Sequence, residues 1–152
     1  MKKNKKIAIV GLGYVGLPLA AEFGKHHKTF GFDIDKVRIE ELENGIDKTG
    51  ELSFDQIKES KKLELTSDIN NLKDCSIFIV TVPTPIDESN TPDLTLIKNA
   101  SQMIGKIINK DDIIIYESTV YPGCTEEICV PILEQNSKLK FNQDFYCGYS
   151  PE

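Results

Sequence analysis

Polar and apolar positions in this chain fall into blocks of strand length and helix length that take turns. Ile7 to Val10 is an uninterrupted apolar run, and Ser76 to Thr81 and Asp112 to Tyr116 carry runs of the same kind. Such runs suit strands buried on both faces, as in parallel sheets. Lys28 to Asp33 and Asp144 to Tyr149 read as two further strands. Leu63-Glu64-Leu65-Thr66 alternates like a half-exposed strand at a sheet edge. Between these lie helical stretches at Tyr14 to Lys25, at Asp35 to Asn44 with Gly45 as its stop, and at Ser53 to Lys61. The longest polar loop, Pro83 to Asn90, precedes a helix expected to open on Thr91 as N-cap with Pro92 as first helical residue, running to Asn109. A last helix, Gly123 to Asn136, must be kinked or split at Pro131. The alternation predicts one α/β domain, a doubly wound parallel sheet of about six strands in the order 3-2-1-4-5-6, the Rossmann arrangement.

The link between the first strand and first helix is Gly11-Leu12-Gly13-Tyr14-Val15-Gly16, a G-x-G-x-x-G spacing. Gly11 permits the tight turn, Gly13 lets backbone approach a pyrophosphate, and Gly16 lets the helix pack closely. The helix N-terminus adds free N–H groups and a partial positive charge for a diphosphate. Asp33 closes the second strand twenty residues beyond Gly13, where a carboxylate accepts hydrogen bonds from an adenosine ribose and repels a 2′-phosphate. NAD is therefore expected in preference to NADP. Arg38, one turn into the second helix, is a candidate for the adenine or a phosphate, or else a solvated surface charge. An ordinary glycine turn without ligand is the bland alternative. A secretory leader is another, since a basic start precedes the uncharged stretch Ile7 to Ala21. The glycines and Pro18 interrupt that stretch, and it is too short for a membrane span of about 20 apolar residues.

Bulk properties narrow the class. At 152 residues, 39% hydrophobic and 28% charged, the chain is a globular domain with room for a core. A net charge of −6 gives the surface as a whole no attraction for nucleic acid or anionic lipid. Cys75, Cys124, Cys129 and Cys147 form no C-x-x-C pair and read as reduced thiols of a cytoplasmic protein. His26 and His27 stand together at the end of the first helix as structural residues, and no metal site is expected.

Ligands of such sheets bind beyond the carboxyl ends of the strands, here Gly11 to Val15, Asp33, Thr81 to Pro85, Glu117 to Gly123 and Ser150 to Glu152. Thr81-Val82-Pro83-Thr84 leaves a central strand beside the first and should run along the cofactor. Ser118 and Thr119 are expected to turn their hydroxyls toward the nicotinamide end and a substrate oxygen. Cys124, at a helix start, is either a thiol of lowered pKa or one that merely packs.

Five blocks in order resemble the UDP-glucose/GDP-mannose dehydrogenase family. They are Ile9 to Ala20, Gly31-Phe32-Asp33-Ile34-Asp35 with Arg38, Val82-Pro83-Thr84-Pro85, Glu117 to Glu127, and Gly148-Tyr149-Ser150-Pro151-Glu152. The second and last most resemble the bacterial branch that oxidises UDP-N-acetylhexosamines for capsule, Vi-type antigen and O-antigen synthesis. The resemblance implies a two-step, NAD-dependent oxidation of the sugar C6 alcohol to a carboxylate, through an aldehyde and a cysteine thioester. It implies that Thr119 lies near the nicotinamide and catalytic water, and that Glu152 takes part in water activation. The resemblance places the catalytic cysteine and lysine, the helix of the homodimer and the UDP-sugar domain in later segments. The chain is thus expected to be an excised NAD-binding domain, inactive alone. Another hydroxyacid or 6-phosphogluconate-type dehydrogenase, and a non-catalytic dinucleotide sensor, are the competing readings.

Overall fold

Strand β1 (Ile7–Val10) has all four residues buried, because the sheet continues on both sides of it and helices cover both faces. The computed structural model describes residues 5–150, and its six strands lie in the order β3-β2-β1-β4-β5-β6. The remaining strands are β2 (Thr29–Phe32), β3 (Leu63–Thr66), β4 (Ile77–Val80), β5 (Ile113–Tyr116) and β6 (Tyr146–Tyr149). Every neighbouring pair is parallel, as expected from the sequence. Glu64 of β3 and Tyr146 and Tyr149 of β6 are exposed, which fits the two edges.

Alternate residues of β1 feed two cores. Ile7 and Ile9 pack with Leu12, Leu17, Ala20, Ile39 and Leu42, beneath α1 (Gly16–Gly24) and α2 (Lys36–Glu43). Ala8 and Val10 pack on the opposite face with Phe78, Val80, Ile97, Ile104 and Leu133, beneath α4 (Thr95–Gly105) and α5 (Val130–Ser137). The short α3 (Phe54–Glu59) starts with a capping box in which Ser53 and Gln56 satisfy each other's backbone N–H groups.

Register decides where the site lies. Val10 is level with Phe32 and with Val80, so Gly11, Asp33 and Thr81 leave the sheet at one height on either side of the strand-order reversal. Uncharged positions 7–21, the stretch that resembled a leader, form the central strand, its turn and most of α1.

The helix expected after the long polar loop begins later than the sequence suggests. Thr91 and Pro92 do not open a helix: Ile86 and Pro92 form an antiparallel bridge. The Asp87 carboxylate takes the N–H groups of Ser89 and Thr91 at 2.8 and 2.9 Å, so this side chain closes a loop where a helix cap was expected. The helix begins only at Thr95, whose N–H goes to Asp93 Oδ1 at 2.9 Å. Pro131 splits its helix as expected, and the segment before it, Thr125–Cys129, is a π-turn in which Val130 N–H reaches back to Thr125 C=O. A wide turn there fits a proline, which has no N–H to continue the ladder. A 3-10 turn at Ile69–Leu72 was not anticipated. His26 and His27 lie exposed just past α1, their backbone amides bonding the Phe23 carbonyl at 3.1 and 2.8 Å.

Candidate dinucleotide site

Gly11 leaves β1 with φ of 104°, a conformation open to glycine and strained for other residues. A Cβ on Gly16 would lie 1.7 Å from the Gly11 carbonyl oxygen and 2.4 Å from Thr81 Oγ1. The third glycine therefore packs helix against turn. A Cβ on Gly13 would meet no atom within 4 Å, so the space above the turn is open. No side chain caps the N-terminus of α1, so the positive end of the helix dipole is left for a ligand at the turn. Tyr14 and Val15 stand exposed beside it. This combination fits a pyrophosphate.

The turn is fastened through Leu12. Its side chain is buried, a contribution of about 2 kcal/mol. Its N–H donates to Asp33 Oδ2 at 3.0 Å, and Asp33 Oδ1 takes the N–H of Asp35 at 2.9 Å. Each carboxylate oxygen keeps a lone pair for a ribose hydroxyl. The Leu12 carbonyl accepts from Arg38 Nε at 3.0 Å and Nη2 at 2.8 Å. Arg38 is only 11% exposed and its Nη1 lies 2.9 Å from Asp47 Oδ1, which rules out the reading as a solvated surface charge.

Asp47 was missed at the sequence level. Its side chain is fully buried. It takes the hydroxyl and N–H of Thr49 at 2.7 and 3.0 Å, and the N–H groups of Glu51 and Leu52, both at 3.0 Å. Burial by itself would raise the carboxyl; the bonds from Thr49, Leu52 and Arg38 outweigh it and hold the group at about 2. The spacing Asp47-Lys48-Thr49-Gly50 is an Asx-turn signal that points to this role.

On the other side of the switch point, the exits of β4 and β5 are joined to each other and to the glycine turn. Thr81 Oγ1 donates to the Gly11 carbonyl at 2.6 Å. Ser118 Oγ donates to the Val82 carbonyl at 2.7 Å, and Thr84 Oγ1 to the Thr119 carbonyl at 2.5 Å. The Ser118 hydroxyl is thus buried and engaged, contrary to the expectation that it faces a substrate. Thr119 and Pro83 are exposed. Beside Thr119 a cavity of about 160 Å³ opens between Ser118, Tyr121, Gly123, Glu126, Tyr149 and Ser150. Glu152 lies outside the described residues.

Cys124 packs. It is wholly buried, and burial pushes its thiol up, so the alternative of a lowered pKa at a helix start is corrected. All four cysteines are free thiols, and burial holds Cys129 at about 11 and Cys75 and Cys147 at about 12. Among the described residues no group of acidic, histidine and cysteine side chains could hold a metal ion, and no helix is long and apolar enough to cross a membrane.

An uncapped helix N-terminus over an open glycine turn, with an acidic strand end beside it at the strand-order reversal, defines a dinucleotide-binding domain of the Rossmann class. Residues 5–152 match the model of the UDP-glucose/GDP-mannose dehydrogenase family, NAD binding domain, and the chain belongs to that family. Its cofactor is accordingly NAD. It is 59% identical over 150 residues to the UDP-N-acetyl-D-glucosamine 6-dehydrogenase of Pseudomonas aeruginosa, covering 99% of this chain and 36% of the relative. It is 52% identical to protein CapL of Staphylococcus aureus, covering 98% of this chain and 35% of the relative. The solved UDP-D-ManNAc dehydrogenase of Pyrococcus horikoshii superimposes with a TM-score of 0.89 at 32% identity, over 97% of this chain and 36% of that one. The chain spans about a third of the length of these relatives.

Proposed function

We propose that the chain is the NAD-binding part of a nucleotide-sugar 6-dehydrogenase that oxidises the C6 alcohol of a UDP-N-acetylhexosamine to the uronic acid, for bacterial surface polysaccharide. The Leu12 peptide, bonded by Asp33 on its N–H side and Arg38 on its carbonyl side, carries this reading: it holds the glycine turn in the shape a diphosphate needs. NAD supplies the hydride acceptor for both oxidation steps. Gly11, Gly13 and Gly16 with Tyr14 and Val15 form the cradle, and Asp33 receives the adenosine ribose and selects against NADP. Thr81, Ser118 and Arg38 serve by holding backbone. Val82, Pro83, Thr84 and Thr119 line the nicotinamide side, next to the cavity that leads toward the sugar. Thr119 and Glu152 position the catalytic water. The sugar domain, the catalytic cysteine and lysine, and the contact of a cytoplasmic homodimer come from sequence beyond this domain, which by itself binds NAD and turns nothing over.

Two measurements test this. Calorimetric titration of the chain should show NAD bound, and bound less when Asp33 is replaced. The protein containing this domain and the family's remaining segments should reduce two NAD per UDP-N-acetylhexosamine. One NAD per sugar with release of the aldehyde overturns the two-step reading.

A further inference from the structure

Arg38 sits where a cation would favour the phosphorylated form of the cofactor, and the structure keeps it from doing so. It lies in the first turns of α2, the helix that follows Asp33 directly, and an arginine near this strand end is the usual partner of a 2′-phosphate. Nε and Nη2 donate to the Leu12 carbonyl, and Nη1, which makes no hydrogen bond of its own, lies 2.9 Å from Asp47 Oδ1 as an ion pair. Asp47 is anchored in turn by four donors of its own loop, from Thr49, Glu51 and Leu52. Its carboxylate is fixed against the guanidinium and cannot swing away.

We propose that Asp47 is a second determinant of cofactor choice, which acts by holding and neutralising Arg38 so that the guanidinium is withheld from the adenosine 2′ position. The inference rests on NAD occupying the glycine turn with its ribose at Asp33. Selection against NADP then has two parts. Asp33 repels the 2′-phosphate directly, and Asp47 removes the cation that would otherwise compensate. The two carboxylates reach the same Leu12 segment from opposite sides, one on its N–H and one through Arg38 on its carbonyl. Both are close enough for their charge to be felt in a partly desolvated crevice. Lys36 is a second cation on this helix, exposed along an open groove with Ile34 and Asp68, so the test must separate its effect from that of Arg38.

The experiment measures dissociation constants for NAD and NADP on variants whose folding is checked by melting curve. Asp33→Asn, which keeps an acceptor for the Leu12 N–H, should raise relative NADP affinity about tenfold, as loss of one nearby charge predicts. Adding Asp47→Asn should raise it about tenfold again. Adding Arg38→Met to both should abolish that second gain, because the guanidinium supplies it. Where Asp47→Asn does not fold, Asp47→Ser keeps an acceptor for the loop amides without the charge and gives the same comparison. A second gain that is absent, or that survives Arg38→Met and so belongs to Lys36, overturns the assignment. A parent chain that binds no NAD overturns the underlying function instead.

Discussion

On the adenosine side of the crevice the backbone is held by charge, through Asp33, Arg38 and the buried carboxylate of Asp47. On the nicotinamide side the same task falls to neutral hydroxyls, Thr81 on Gly11, Ser118 on Val82 and Thr84 on Thr119. Ionic bonds to backbone are stronger than neutral ones and are lost when a partner is protonated. Neutral bonds are weaker and indifferent to acid. The difference fits the function proposed above, in which the Asp33 end discriminates by charge at the 2′ position and the other end faces a second molecule.

The sharpest way to break the adenosine side is steric. Gly16→Ala drives a methyl group to 1.7 Å from the Gly11 carbonyl, and neither a strand-end carbonyl nor a helix start can step aside cheaply. Stability should fall by about 3 kcal/mol, and NAD binding should be lost in whatever folds. Urea unfolding and calorimetry check both, and a stable variant with unchanged NAD affinity contradicts the packing described.

Acid probes the charge itself. Asp47 has its carboxyl lowered from 3.8 to about 2. A folded-state pKa below the unfolded one stabilises above the unfolded value and is lost as pH falls through the folded value. Asp47 should therefore contribute about 2 kcal/mol at neutral pH, lost between pH of about 4 and 2. Unfolding free energies of the parent and Asp47→Asn should converge across that window. A gap that stays constant means that the carboxylate is not what the loop depends on.

The two sides also differed in how far they could be read from sequence. The glycine turn and Asp33 were legible because their spacing encodes backbone geometry: a positive φ at Gly11, an open Gly13, an acid level with the turn. Strand order was legible because buried parallel strands are continuous apolar runs. Asp47 was not, since its partners are loop amides and an arginine nine residues upstream, and a charged residue in a polar segment looks solvated. The Ser118 hydroxyl was placed in the right loop and aimed the wrong way. Only the neighbouring strand reveals that the Val82 carbonyl is within its reach. The helix expected at Thr91 failed for a comparable reason: Asp87, four residues earlier, draws the Thr91 N–H into a loop, and the Pro85 carbonyl takes the Asp93 N–H that a Thr91 cap would have used.

The smallest effect sharpens the comparison most. Ser118→Ala removes one neutral hydrogen bond and leaves the Val82 carbonyl without that donor, at a cost of about 1 kcal/mol. Neither partner titrates, so the loss should be equal at pH 7 and pH 3.5, while that of Asp47→Asn shrinks. NAD affinity should fall by less than about tenfold, the ratio to NADP staying fixed, because the hydroxyl acts on backbone far from the 2′ position. Unfolding curves at both pH values with paired NAD and NADP titrations decide it. If the loss on Ser118→Ala shrinks with acid as well, the staple is coupled to an ionised group and the division into a charged side and a neutral side fails.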